Sequence, residues 1–332
     1  LVVHNLDSKS NKKTYLEDYE NKDNLIKLNL LNVNDEEQQG YEVINDNYKL
    51  LGLLDGAIEK KVKQLILSFS MNEPNIVHAW QDETIITSSM ASALVGVPIL
   101  IGSARSLRPD KKTQLHIRNR PYLKNCYKLL LKNKWFILNV NSDAGRKSYS
   151  EWLGIPETKI RVIKNGIDFK KMKSKINKKI VNYELTKIGI TKNNLIVGGL
   201  FRLESGKRPG LWIDSVEMAI KKNKNIRGIL VGDGKMSNAL KVEIKNRDLD
   251  KFITLVGEKK DVGGWLSIMD VFLITSESEG LPNVTIEAQS FGIPVVATDA
   301  GGIKETFTHG ETGLLSQSIR PDEIAKLIIK IL

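Results

Sequence analysis

Short apolar runs alternate with helical periods along nearly the whole chain, and this alternation leaves few folds open. NIVHAW, PILIGSA and WFILNVNS are six to eight residues long and apolar almost throughout. Strands buried on both faces have this character, and they belong to parallel sheets with helices packed on either side. A helical stretch follows each of them: ETIITSSMASALVG, QLHIRNRPYLKNCYKLLLKN and DAGRKSYSEWLG. LVVHNL and LIKLNLL are two earlier strands, and an amphipathic helix follows around YKLLGLLDGAIEKKVKQLILSF. KIRVIKNGI closes this first set.

A second alternation starts at NLIVGGL and continues through IRGILVGDG, FITLVG, VFLITS and PVVATDA, with helical segments between them. Between the two sets, Asp168 to Asn194 is rich in Lys and Asn and has the composition of a linker with one helix. The expected fold class is therefore α/β, with two doubly wound, Rossmann-like domains over residues 1–167 and 168–332, facing a cleft. A chain of 332 residues is long enough for two such cores. Ligands of open α/β sheets bind beyond the carboxyl ends of the strands, so function is to be sought in those loops.

Composition narrows the function classes. No apolar run is long enough to span a bilayer. Cys126 is the only cysteine, which excludes an intrachain disulfide and fits a reducing cytoplasm. His4, His78, His116 and His309 lack metal-ligand spacing. The net charge of +11 favours a phosphorylated ligand, an anionic surface or nucleic acid, and it equally fits a Lys- and Asn-rich composition with no such partner. The chain opens without Met inside an apparent strand and closes inside an apparent helix, so it is expected to be part of a longer polypeptide.

Three strand ends carry chemistry. After NLIVGGL stand Arg202 and Lys207, two cations beside Gly206, suited to a diphosphate or to a plain solvated loop. IRGILVGDG ends in Gly232-Asp233-Gly234, an incomplete phosphate turn because no third glycine follows. After VFLITS comes SESEGLPNVTIEAQSFG, in which seven residues separate Glu279 from Glu287. Leu281, Pro282, Asn283 and Val284 open a short helix there, with Pro282 in its first turn and Asn283 or Ser278 as its cap. Free amides at such a terminus suit a phosphate or a sugar hydroxyl. Carboxylates accept paired hydrogen bonds from vicinal hydroxyls, so two of them spaced along one ligand could hold two sugar rings.

These residues resemble the family 4 retaining glycosyltransferases, which have the GT-B fold. Glu279 and Glu287 are similar to that family's paired glutamates, and Arg202 and Lys207 to its diphosphate-binding cations. GGIKETFTHGETGLL resembles its downstream pattern, and Val162 to Asp168 the segment leading out of its N-terminal domain. HAWQDETIITSSMASALVGVPILIGSARSLRP is similar to enzymes of bacterial capsule and surface polysaccharide assembly. The resemblance implies a UDP-linked donor, a glycan or lipid-linked acceptor and retention at the anomeric carbon. By the same resemblance Glu279 contacts the donor hexose, Glu287 the nucleotide ribose, and the amides of Leu281 to Val284 the sugar and diphosphate.

Two departures from the family stand out. No Gly-rich loop follows the first strand, and Ser103, Ala104, Arg105 and Ser106 occupy the loop where many members carry a histidine. His78, Asp82 and Arg105 are the acceptor-side candidates, His78 being equally well explained as a near-core residue. Asp248-Leu249-Asp250 has the form of a metal motif but precedes FITLVG, at the wrong end of a strand, so no metal is expected. The basic segment RNRPYLKNCYKLLLKNKW has two readings. It rests on the inner face of the plasma membrane near other polysaccharide-assembly proteins, or its apolar side packs in the core. Two further functions remain: an NAD-dependent oxidoreductase, which lacks a full Gly-x-Gly-x-x-Gly, and a non-catalytic basic binding domain. The second lacks the interleaved aromatics of a nucleic-acid face.

Overall fold

The computed structural model describes residues 2–4, 26–28, 56–109, 122–174, 176 and 178–332. The start of the first expected long helix and the stretch 110–121 lie outside the described residues. The chain divides into two compact units, Leu1–Ile163 and Lys164–Leu332.

In the first unit the strands are β1 (Val2–His4), β2 (Ile26–Leu28), β3 (Ile76–Trp80), β4 (Ile99–Ala104), β5 (Phe136–Val140) and β6 (Ile160–Val162). All pair in parallel, in the order β2-β1-β3-β4-β5-β6. Its described helices are α1 (Gly56–Asn72), α2 (Asp82–Val95), α3 (Tyr122–Leu130) and α4 (Asp143–Leu153). Ser142 caps α4 by accepting from Gly145 N at 2.9 Å, and Gly154 ends it in the left-handed region. Leu123, Tyr127 and Leu130 on α3 are buried in the core, which settles how its apolar side packs. Among the described residues no helix is long and apolar enough to cross a membrane.

The second unit opens with α5 (Phe169–Ser174) and α6 (Lys178–Lys187). Its strands are β7 (Leu195–Leu200), β8 (Ile226–Val231), β9 (Ile253–Gly257), β10 (Val271–Ile274), β11 (Val295–Thr298) and β12 (Gly313–Ser316). Its later helices are α7 (Pro209–Lys222), α8 (Ser237–Asn246), α9 (Val262–Leu266), α10 (Asn283–Ser290) and α11 (Pro321–Ile331). The segment from Asp168 to Asn194 is thus not a linker with one helix. It forms two helices, and Val181 and Ile190 are buried, with Leu185 and Ile188 packed on the same core. The many Lys and Asn residues around them, of which Lys170, Lys173, Lys187, Lys192 and Asn193 are exposed, give the segment its linker-like composition.

The second sheet runs β12-β11-β10-β7-β8-β9, again all parallel. Successive residues of its strands feed opposite faces, as the period of two requires. Val197, Leu230, Leu273 and Val296 join the core cluster that includes Trp212 and Ile328. Ile196, Ile229, Phe272 and Val295 join the other, with Trp265 and Ala288. Gly199 lets Trp212 lie close to β7, since a Cβ there would stand 2.7 Å from the indole nitrogen, which donates to Leu273 O at 3.2 Å.

Candidate functional site

The strand order of the second sheet places its switch point between β7 and β10. From β7 the chain adds β8 and β9 on one side, then crosses back to add β10, β11 and β12 on the other. Loops leaving the carboxyl ends of the two strands at such a point diverge and leave a crevice for a ligand. Arg202 and Lys207 stand beyond β7, and Glu279 beyond β10.

The two loops are tied together. Lys207 lies in a 3-10 turn, Ser205–Lys207, and Arg208 follows in the left-handed region at φ 48°, with Pro209 opening α7. The buried Thr275 hydroxyl donates to Lys207 O at 3.1 Å and Arg208 O at 3.0 Å. Glu277 N donates to Gly206 O at 2.9 Å. Glu279 is pinned on both backbone groups, its N–H to Ala300 O and its carbonyl to Gly302 N, each at 3.1 Å. Its carboxylate forms an ion pair with Lys207 and accepts from Ser276 Oγ at 2.7 Å. Two side chains 72 residues apart thereby meet on one strand boundary. Arg202 is more open, 67% exposed, with Glu204 at 3.4 Å.

Helix α10 begins after Pro282, and no side chain caps it. The expected caps do other work or none: Asn283 Oδ1 accepts from Asn165 Nδ2 at 2.7 Å, and Asn165 also donates to Leu281 O at 2.9 Å. Leu281 and Pro282 are buried, while Asn283 and Val284 are half-buried. Glu287, one turn further on, is half-buried, and burial pushes its carboxyl above the usual range. Its raised affinity for a proton marks a carboxylate deprived of water, with no ion-pair partner among the described residues.

Gly232 follows β8 at φ 139°, and its N–H donates to Gly257 O at 2.9 Å. A Cβ there would overlap the carbonyl oxygen of Phe201 and sit 3.0 Å from its carbon. At Gly234 a Cβ would be 2.5 Å from Leu203 O. The Gly-Asp-Gly turn is therefore required by the neighbouring backbone that carries Arg202, whatever ligand it meets. Asp248 and Asp250 lie between α8 and β9, at the amino end of that strand. Among the described residues no three His, Cys, Asp or Glu side chains gather as a metal site would need.

In the first unit His78, in the middle of β3, meets Ser103, near the carboxyl end of β4, His78 Nε2 lying 2.7 Å from Ser103 Oγ. Burial lowers the His78 pKa, so its ring is neutral at neutral pH. The His78 and Trp80 rings lie 4.7 Å apart, and the Arg105 guanidinium stacks over Trp80 at 5.0 Å. Asp82 is the third acceptor-side candidate. It is buried at the start of α2, and its Oδ1 accepts from Tyr127 at 2.8 Å and Tyr149 at 2.5 Å. Burial pushes its carboxyl up, against the pull of both hydroxyls. That oxygen is engaged in holding the core together. Asn165, in sequence only part of a boundary motif, reaches the start of α10 through its two hydrogen bonds and so joins the residues around the candidate site.

Residues 184–332 match the family model for glycosyl transferases group 1. Among curated proteins, the chain is 28% identical over 287 residues to the Vi polysaccharide biosynthesis protein VipC/TviE of Salmonella typhi, covering 85% of this chain and 49% of that one. It is 27% identical over 253 residues to the UDP-Gal:alpha-D-GlcNAc-diphosphoundecaprenol alpha-1,3-galactosyltransferase of Escherichia coli, covering 73% of this chain and 63% of that one. The chain thus spans about half to two thirds of the length of these relatives. Among solved structures, HepE of Anabaena in complex with UDP-glucose superimposes with a TM-score of 0.67 at 25% identity, covering 81% of this chain and 71% of that one. The fold class is that of the GT-B glycosyltransferases. The match to glycosyl transferases group 1 lies wholly within the second unit.

Proposed function

We propose that the chain is a retaining glycosyltransferase of family 4. It moves a hexose-type sugar, an N-acetylhexosamine or its uronic acid included, from a UDP-sugar to a bacterial surface polysaccharide or a lipid-linked acceptor. The observation that carries this reading is the meeting of Lys207 and Glu279 at the switch point, with Glu279 fixed through both backbone groups. The relatives' names point the same way: one makes a polysaccharide, one transfers galactose from UDP-Gal, and HepE holds UDP-glucose.

Each residue has a role in this proposal. Without donor, the Lys207 ammonium and the Glu279 carboxylate neutralise each other. A bound diphosphate takes over Lys207 and releases Glu279 to accept from a sugar hydroxyl. Breaking the bond between the anomeric carbon and its phosphate oxygen leaves the electron pair on the diphosphate. Arg202 and Lys207 stabilise that charge as it grows, the work a divalent metal does in other transferases. The acceptor's hydroxyl attacks the anomeric carbon from the face the diphosphate leaves, and its proton passes to that phosphate. Glu287 accepts from the ribose hydroxyls, and the amides opening α10, with Gly232, face the phosphates. The first unit takes the acceptor, with His78, Asp82 and Arg105 as its candidates.

Donor turnover in Glu279→Gln, Arg202→Ala and Lys207→Ala tests the assignment. Removing one charge-stabilising group from a transferase site costs about 10²–10³ in kcat. Rates near wild type in all three variants refute it. The product's anomeric configuration, read by proton NMR coupling constants, tests retention separately.

A further inference from the structure

We propose that Asn165 sets the polarity of the Asn283 side-chain amide, so that Asn283 presents its NH2 group to an oxygen of the sugar nucleotide. This rests on the function proposed above and adds a positioning residue to it.

The argument starts from a group whose polarity is not in question. The Leu281 carbonyl only accepts, so the atom of Asn165 that lies 2.9 Å from it is the amide nitrogen. The same nitrogen lies 2.7 Å from the Asn283 side chain. Its second hydrogen can be used only if Asn283 turns its oxygen inward. The Asn283 NH2 group is left pointing away from Asn165, and among the described residues it has no hydrogen-bond partner. Asn283 is the first residue of α10, which no side chain caps, so this free donor stands beside the free amides of the helix. The neighbouring Lys164 reaches Glu305 at 3.3 Å, so consecutive side chains fasten this segment to the loops after β10 and β11.

An asparagine whose orientation is free can offer either a donor or an acceptor. One held by Asn165 offers a donor alone. The ligand atom opposite must be an oxygen that accepts: a phosphate oxygen, a carboxylate of a hexuronate or a hydroxyl lone pair. Asn165 thus makes the site selective for acceptor oxygens without touching the ligand itself.

The test is a set of variants with binding and kinetic readouts. Calorimetry with UDP, UDP-glucose and UDP-glucuronate gives affinities, steady-state rates give KM and kcat, and circular dichroism gives Tm. In Asn165→Asp the carboxylate can only accept, so Asn283 rotates to donate to it and turns its oxygen to the ligand. A folded Asn165→Asp should bind about tenfold more weakly or worse, the loss expected for one misdirected hydrogen bond, with a smaller change in kcat. Loss already seen with UDP alone assigns the opposing oxygen to the phosphates; loss with the UDP-sugars only assigns it to the sugar. Asn165→Ala, Asn283→Ala and their double variant close a cycle that does not depend on the aspartate folding well. If Asn165 acts through Asn283, the double variant binds no more weakly than the weaker single variant. Affinity losses that multiply in the double variant overturn the inference, as does wild-type affinity in a folded Asn165→Asp. A wild-type protein that neither binds nor turns over any sugar nucleotide overturns the proposed function, and this inference with it.

Discussion

Gly232→Ala separates a glycine needed by a ligand from one needed by the fold. The added methyl would overlap the Phe201 carbonyl oxygen and stand 3.0 Å from the carbonyl carbon, and the backbone at φ 139° disfavours any L side chain. Backbone strain of this kind costs about 1–3 kcal/mol. Relief requires Phe201 to move, yet Phe201 N is bonded to Val231 O at 3.1 Å and Leu203 N to Asp233 O at 3.0 Å. Losing one or two such bonds adds about 1 kcal/mol each. The expected destabilisation is about 2–5 kcal/mol, or a fall in Tm of roughly 10 °C for a unit of this size. Gly206→Ala is the control, because a Cβ there meets nothing within 4 Å and its φ is not positive. Thermal unfolding followed by circular dichroism, with hydrogen exchange of the peptide 226–236, reports the second unit specifically. A Gly232→Ala protein with wild-type Tm and weakened UDP binding would refute the reasoning and make Gly232 a ligand-contact residue only.

Glu287→Gln should raise stability at neutral pH by about 0.5–2 kcal/mol while weakening donor binding, the trade expected of a strained functional group. Burial raises the folded-state pKa of Glu287, so wild-type stability falls as pH rises from the ordinary carboxylate range through that raised value. The variant's advantage should therefore vanish at acid pH and level off above the window, as denaturant midpoints across pH would show. Thr275→Val keeps the shape but removes the hydroxyl that donates to Lys207 O and Arg208 O, and should cost about 1–2 kcal/mol and lower turnover, checked by urea midpoints and donor kinetics. Asp82→Ala leaves the buried Tyr127 and Tyr149 hydroxyls without their acceptor and should cost about 3 kcal/mol or more; Asp82→Asn keeps an acceptor, removes the charge and should stay within about 1 kcal/mol of wild type, both read from urea midpoints.

How much the sequence discloses depends on the range over which each signal acts. Strands buried on both faces must be apolar throughout, so VFLITS and NLIVGGL announce parallel strands without knowledge of their neighbours. The positions of Arg202, Lys207 and Glu279 just past strand ends are local facts too. The pairing of Lys207 with Glu279 is not local. It depends on β7 lying beside β10, a consequence of the crossover that no single segment records. Asp82 shows the same limit from the other side. Its sequence position beside His78 and Trp80 makes it an acceptor-side candidate, and nothing local to it foretells the two hydrogen bonds it accepts from Tyr127 on α3 and Tyr149 on α4.

The segment from Asp168 to Asn194 had a usable signal that composition concealed. Val181, Leu185 and Ile188 stand at helical spacing, one apolar stripe among lysines and asparagines; Val181 is buried, and Leu185 and Ile188 pack on the core that holds Ile190. Asn165 is the harder case, because an asparagine in a loop carries no periodicity. Its meaning lies in two acceptors that stand 116 and 118 residues further along the chain. A motif such as Asn165-Gly166-Ile167-Asp168 marks the end of a domain when read along the chain. The structure shows the same asparagine fastening the entrance of α10, so the residue that closes one domain's pattern helps to order a loop of the next.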